Sequence, residues 1–469
     1  DGDKIRFRSG FVERIGGWAK VGANQFLGTC RKIHDFVTLS SENLLFIGTE
    51  KKIYLEDSGF FSDITPIRRT VTLGTNPFNT SSGAGSGVIT VTDTAHGVTI
   101  GSYVTFSGAT AFDGLTTANL NKEQVVTEII NENSYRVNTG GSASSGSTAG
   151  GGSSVVAAYQ INIGLNKTVL GPGWGAGTWG RFTWGSGSGS LAGQTLRLWF
   201  ADDFGEDLIM NIADGEIYYW DATGTTGTRA VNLNSLTGSS NVPTVARKVL
   251  VSETDRHVIC FGANPLGETE QDPLLIRWSS QESLTDWTPT ATNTAGDLRL
   301  SQGSEIVTAV RTSRQILIWT DHTLHSLQFL GPPYTFGTAM LGDNIRIAGP
   351  NTAISVNDIV YWMGQENFYM YDGRIQPIPC TVRQYVFDDL NRNQSFKFHA
   401  GSLASQSEIW WYYCSASSDE IDSYVVYNYL EQTWVYGKLA RTAWNDRAAG
   451  QRSFPQATGK DIANPLASI

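Results

Sequence analysis

Three pairs of acids, Asp202-Asp203, Glu206-Asp207 and Asp388-Asp389, are the first places where this sequence could do chemistry. Two carboxyls set across a sugar are the acid/base pair of a glycoside hydrolase, and propellers do host such enzymes. Neighbouring acids in one loop are ordinarily just solvated, however, and hydrolysis needs carboxyls that converge from different elements. His322 and His325 form a second cluster, three residues apart near a turn. On a strand that spacing sends the rings to opposite faces, so no shared metal is expected. His34, His96, His257 and His399 are isolated and read as structural. Cys30, Cys260, Cys380 and Cys414 lie far apart without a C-x-x-C, as reduced core residues of a protein made in a cytosol would. The sequence carries no nucleophile elbow, P-loop, dinucleotide fingerprint or zinc signature. The expectation is therefore no catalytic residue, no cofactor, no metal and no enzyme.

Binding is the other chemistry to consider. The net charge is −10 and the pI is near 5.2. The longest basic runs are Arg31-Lys32, Lys51-Lys52 and Arg68-Arg69, too short for a groove that grips nucleic acid. An acidic wall can instead let DNA slide past, although a plain solvated surface is the first explanation of the balance. Gly173-Trp-Gly-Ala-Gly-Thr-Trp-Gly180, followed by Arg181, combines permissive backbone with aromatic anchors. Trp174, Trp179 and Arg181 are thus candidates for an inter-subunit or channel loop, a connector with its Trp residues in the core being the plain alternative. The string Trp410-Trp411-Tyr412-Tyr413 could stack on sugar, but strand alternation favours core packing. No apolar stretch approaches the ~18 residues of a membrane span. Asp1 in place of Met points to a natural N-terminus upstream.

These residues must be positioned by strands. Fifty-one Gly, 14 Trp, 17 Tyr and 21 Phe beside 17% charged residues describe many turns and many short strands, an all-β chain. Three segments share one pattern: a β-branched or aromatic run, about four polar residues, then a second run ending in an acid. They cover residues 44–57, 208–221 and 359–373, and looser copies cover 258–278, 316–329 and 408–429. Equivalent strands recur every ~45–60 residues, which suits four-stranded propeller blades with variable loops. Six blades is the expected number, five or seven being the alternatives. Residues 61–66 and 284–289 echo each other, each ending Thr-Pro, and read as blade endings. The N- and C-terminal strands are expected to share a blade. Residues 70–163, flanked by Gly/Ser-rich runs, break the rhythm and read as a small inserted β-barrel or sandwich, leaving 1–69 and 164–469 as the propeller body. One helix is expected, over 382–390 with Thr381 as its cap.

Four segments together resemble the tail nozzle or hub proteins of short-tailed bacteriophages, the packaged-DNA stabilisation type. Residues 3–20 (DKIRFRSGFVERIGGWAK) are similar to that family's early charged strand followed by Gly-Gly-Trp. Thr92-Asp-Thr-Ala-His-Gly-Val98 with Gly101-Ser-Tyr-Val104 resembles a small β-domain common in phage tail proteins, and residues 173–180 resemble the segment that follows it. The most specific likeness runs from residue 408 through 429 to Trp434 and Ala440-Arg-Thr-Ala-Trp444. The final residues, 451–469, do not align with that pattern. The resemblance implies a virion protein in the tail, assembled in the bacterial cytoplasm as a homo-hexameric ring. An adaptor would lie above it and fibres or spikes at its side. Packaged double-stranded DNA would be retained, then ejected through its lumen without sequence-specific binding. It carries over no catalytic residue. A receptor- or glycan-binding propeller and a propeller glycoside hydrolase are the rival readings.

Overall fold

Each of the six hairpins read from the sequence forms the middle pair of a four-stranded antiparallel sheet, and the six sheets are the blades of a propeller. The computed structural model describes residues 4–8, 10–15, 24–80, 82–169, 196–252 and 255–445. Blade 1 comprises Cys30–Val37, Asn43–Thr49, Ile53–Asp57 and Phe60–Asp63. Blade 2 comprises Trp199–Phe204, Asp207–Ile212, Ile217–Trp220 and Val231–Asn232. Blade 3 comprises Ala246–Val251, Val258–Ala263, Leu275–Trp278 and Gly296–Arg299. Blade 4 comprises Ile306–Arg311, Ile316–Thr320, Thr323–Gly331 and Thr335–Asp343. Blade 5 comprises Ala353–Val356, Ile359–Met363, Phe368–Tyr371 and Ile375–Pro377, and blade 6 His399–Leu403, Glu408–Tyr413, Ser423–Asn428 and Thr433–Lys438.

The second strands explain why the hairpins were legible. Val258–Ala263, Ile316–Thr320 and Glu408–Tyr413 are buried at every residue. A sheet pressed between two others has no solvent face, so its strands read as continuous apolar runs rather than alternating ones. Tryptophans from these strands tie blades together. Trp319 of blade 4 meets Trp362 of blade 5 edge-on, with ring centres 5.4 Å apart. The Trp411 indole N–H donates to the Thr352 carbonyl at 3.0 Å, just ahead of blade 5. Between blades 1 and 2 the Trp199 N–H donates to Thr49 O at 2.9 Å, and a Cβ on Gly48 would lie only 2.8 Å from the same side chain. Glycine is required there by the closeness of the approach. Trp410 to Tyr413 are all buried, as alternation between two packed faces demands.

Several expectations change. Among the described residues every blade is built from one contiguous run, so the N- and C-terminal strands do not share one. Ile5–Arg8 and Phe11–Arg14 form their own hairpin. It lies on blade 6, where Arg6 makes a bidentate pair with Glu408 at 2.8 and 2.9 Å and the Lys4 N–H donates to the Tyr424 hydroxyl. Residues 284–289 are not a blade ending. They sit in the loop between the third and fourth strands of blade 3, where Trp287 is buried and its N–H returns to Leu284 O. The helix is Arg383–Asp388; Val382, not Thr381, holds the cap position and supplies no side-chain hydrogen bond. No helix among the described residues is long and apolar enough to cross a membrane.

The second compact unit is Ile64–Gly164. It is one antiparallel sheet of eight strands curled as a half-barrel. Its boundary falls ahead of residue 70 because Ile67–Thr72 pairs with Val156–Gln160 along the sheet's edge. Phe78, Phe106, Tyr135, Val137 and Tyr159 fill its core. Tyr159 donates to Asp93 at 2.6 Å and shares a 2.9 Å hydrogen bond with Tyr135. His96 is structural here: its Nδ1 accepts the Val98 N–H and its Nε2 lies 2.9 Å from the Asn131 carbonyl.

Candidate functional site: the charged axis of the propeller

The first strands of the blades come together around Lys248 of blade 3. Its Nζ donates to Thr308 Oγ1 and to Ala309 O of blade 4, at 3.1 and 2.6 Å. It also lies 5.0 Å from the centre of the Phe200 ring of blade 2. The charges of Lys32, Asp202 and Arg311 from blades 1, 2 and 4 all act on it. Four first strands meeting at one ammonium place that group on the propeller axis. Alternation then explains which side chains reach inward: Lys32 and His34 are two apart on Cys30–Val37 and share a face.

Charge on the axis is arranged as pairs between blades. Asp202, 3% exposed, accepts the Val251 N–H at 2.8 Å and Arg311 Nη1 at 3.0 Å, joining blades 2, 3 and 4. The His34 Nε2 of blade 1 lies 3.3 Å from Asp203 Oδ1 of blade 2. Arg31 of blade 1 makes a two-toothed pair with Glu420 of blade 6 at 2.7 and 2.6 Å, and Lys397 reaches the same carboxylate at 3.3 Å. Burial by itself would raise the Glu420 carboxyl. The Arg31 hydrogen bonds and the Arg31 and Lys397 charges outweigh it and hold the group below its ordinary value. At Asp203 burial is likewise outweighed, by the hydrogen bond and charge of His34. For Lys248 burial dominates, the Lys32 charge adds to it, and the ammonium is pushed down to about 7.

A cavity of about 160 Å³ lies beside these pairs. Arg31, Lys32, Lys248, Asn351, His399 and Trp444 line it, so it gathers basic side chains from blades 1, 3 and 6. Trp444 reaches it by returning after the last strand of blade 6, its N–H donating to Ser402 O.

The acids singled out from sequence separate into different roles. Asp202 and Asp203 are cross-blade partners rather than a solvated loop, because both fall within the first strand of blade 2. Asp207 caps a turn of its own blade by accepting from the Tyr219 hydroxyl and the Ala222 N–H. His34, Asp202 and Asp203 bring one ligand atom each within 4.8 Å of one another. With Arg311 on one carboxylate and the His34 ring on the other, both acids of that trio are already engaged, which opposes a cation. His325 is buried and meets the Thr323 hydroxyl at 2.9 Å, whereas His322 lies 3.1 Å from Asp321. Trp174, Trp179 and Arg181 lie outside the described residues. Sequence reasoning missed Lys248, Arg311 and Glu420, and passed over Arg31-Lys32 as a basic run too short to grip nucleic acid. The available signal was a pair of cations inside a strand otherwise apolar, Arg247 and Lys248 in Ala246–Val251.

No protein-family model matches this chain, and no curated protein matches it in sequence. Among solved structures it is similar to a phage phi92 endosialidase at 10% identity and a TM-score of 0.21, covering 82% of this chain and 53% of that one. It is also similar to KlHsv2 with loop 6CD replaced by a Gly-Ser linker, at 9% identity and a TM-score of 0.29, covering 53% and 71%. At such scores neither likeness bears on function, and the chain stands as a six-bladed propeller carrying a half-barrel unit.

Proposed function

We propose that this chain is a virion structural protein, a subunit of the tail nozzle or hub of a short-tailed phage. In this reading six copies form a ring below a tail adaptor, with fibres or spikes at its side. The ring retains packaged DNA and forms the channel for its ejection. The observation that carries the reading is the paired axis. A propeller enzyme or lectin opens its site where the blades converge, and a hydrolase needs one carboxyl there that holds a proton near neutrality. Here Asp202 and Glu420 are committed to Arg311 and Arg31, and Glu420 and Asp203 are held in the charged form. Such pairs stiffen contacts between blades, which suits a wall. The four-segment resemblance to nozzle proteins supplies the rest: its sixth-blade segment supplies part of that axis, at Glu420 and Trp444.

Electron microscopy of the purified chain tests this. Rings of sixfold symmetry, alone or on isolated tails, are expected. A persistent monomer that binds glycans would establish the receptor-binding alternative, and turnover of oligosaccharides would establish the hydrolase.

A further inference from the structure

The axial cavity is unusual for the chain that contains it. The protein carries a net charge of −10, yet among the described residues the cavity is lined by Arg31, Lys32, Lys248 and His399 and by no acid. Glu420 and Asp202 neutralise Arg31 and Arg311 from outside that lining. Lys32 and Lys248 act on each other through like charge. A second observation comes from Arg31 itself. It is 5% exposed, its two terminal nitrogens bond Glu420 and the Asn166 carbonyl, and its Nε–H is buried with no acceptor among the described residues. That Nε–H faces packed protein rather than the cavity, so Arg31 serves the site through its charge and not through this donor.

From these facts the geometry points to a small oxyanion, inorganic phosphate or sulfate, held in the axial cavity by Arg31, Lys32 and Lys248 as a keystone between blades 1, 3 and 6. Size selects the class. Drug-sized ligands occupy roughly 300–1,000 Å³, whereas the ~160 Å³ here suits one tetrahedral ion with a few waters at ~30 Å³ each. Chemistry selects the charge: a dianion offers several acceptors at once to a guanidinium and two ammonium groups. Burial and the Lys32 charge push the Lys248 ammonium down to about 7, with Arg311 adding to the push and Asp202 opposing it. An anion at this point acts against that push. The inference concerns the propeller alone and stands whether or not the chain assembles into a tail ring.

The test uses the whole chain dialysed into chloride buffer free of phosphate and sulfate. Phosphate and sulfate are titrated calorimetrically at constant ionic strength, with ³¹P line broadening as a second readout for phosphate. One ion per chain is expected, raising the melting temperature above that in equivalent chloride. Lys32→Met and Lys248→Met should each weaken binding at least tenfold while the far-ultraviolet β spectrum persists. If Lys248→Met fails to fold, Lys32→Met alone decides the point. A 5′-phosphorylated oligonucleotide should not displace the ion. Equal stabilisation by chloride, unchanged affinity in Lys32→Met, or displacement by the oligonucleotide would each overturn the proposal.

Discussion

Replacing Glu420 by glutamine tests the paired axis directly. The change keeps the shape of the side chain and removes the charge that serves both Arg31 and Lys397. Those two partners are only 2% and 3% exposed at their side chains, whereas Glu420 is 41% exposed. Breaking a fully buried pair by removing one partner costs about 3–5 kcal/mol, because the other charge stays behind. Water reaches the outer side of Glu420, so roughly half of that, ~2 kcal/mol, is the reasoned loss. In a unit of this size ~2 kcal/mol lowers the melting temperature by about 2–3 °C. Tryptophan fluorescence is the right probe, since all 14 Trp lie outside Ile64–Gly164 and report the propeller unit alone. The pH dependence supplies an internal control. Glu420 is depressed from 4.5 in the folded state, so its stabilisation is complete above that value and fades as pH falls through the folded one. The gap between wild type and Glu420→Gln should therefore close in acid. A loss below about 1 °C at neutral pH, or a gap that persists at low pH, would refute the reasoning.

Trp411→Ala removes a fully buried indole packed on Phe368 and Trp434 and bonded to Thr352, and should cost the propeller about 3–5 kcal/mol; a melting shift under ~2 °C would contradict the blade packing. The Ile64–Gly164 unit has its own core and should fold as an isolated fragment, in which Tyr159→Phe loses about 1–2 kcal/mol in urea by leaving Asp93 and Tyr135 without their shared hydroxyl. An unfolded fragment spectrum would count against its independence. Lys248→Met should change the pH profile of propeller stability. The wild-type ammonium loses its proton near 7 when folded but near 10.5 when unfolded, so wild type gains stability relative to the variant as pH rises from 7 to 10.5. Parallel profiles would show that Lys248 is solvated like a surface lysine.

The blades were legible because their second strands are buried on both faces, so that Leu44–Ile47, Ile316–Trp319 and Ile409–Tyr413 stand out as unbroken apolar runs. First strands were harder to read. Ala246–Val251 packs Val249 and Val251 against blade 2 and Leu250 against blade 4, and Arg247 and Lys248 interrupt its apolar run. Fourth strands such as Val231–Asn232 and Ile375–Pro377 are too short to have a period at all. The axial site was illegible for a different reason. Arg31 and Glu420 belong to blades 1 and 6, at opposite ends of the propeller's run of blades, and only closure of the ring brings them together. Spacing rules act within one strand or hairpin, and nothing local marks either residue as the other's partner. Asp202-Asp203 shows the converse error. The pair is adjacent in sequence and its carboxylates stay close together, yet each meets a different blade, Asp202 meeting Arg311 of blade 4 and Asp203 meeting His34 of blade 1.

The way the ring closes gives the charges their meaning. A blade shared between the two chain ends would lock the seam with ladder hydrogen bonds. Among the described residues the seam between blades 1 and 6 is closed by side chains instead. The Arg31–Glu420–Lys397 pairs lie on one side of it, and Cys30 and Ile33 pack with Ala443 on the other. The Ile5–Arg8 and Phe11–Arg14 hairpin bonds blade 6 through Glu408 but adds no strand to blade 1. Apolar packing alone would hold such a seam without fixing its register, since it tolerates sliding. Two-toothed guanidinium–carboxylate bonds tolerate little displacement, so they specify one alignment. Glu420, with Arg31 and Lys397, is therefore the clasp that keeps the first and last blades in step.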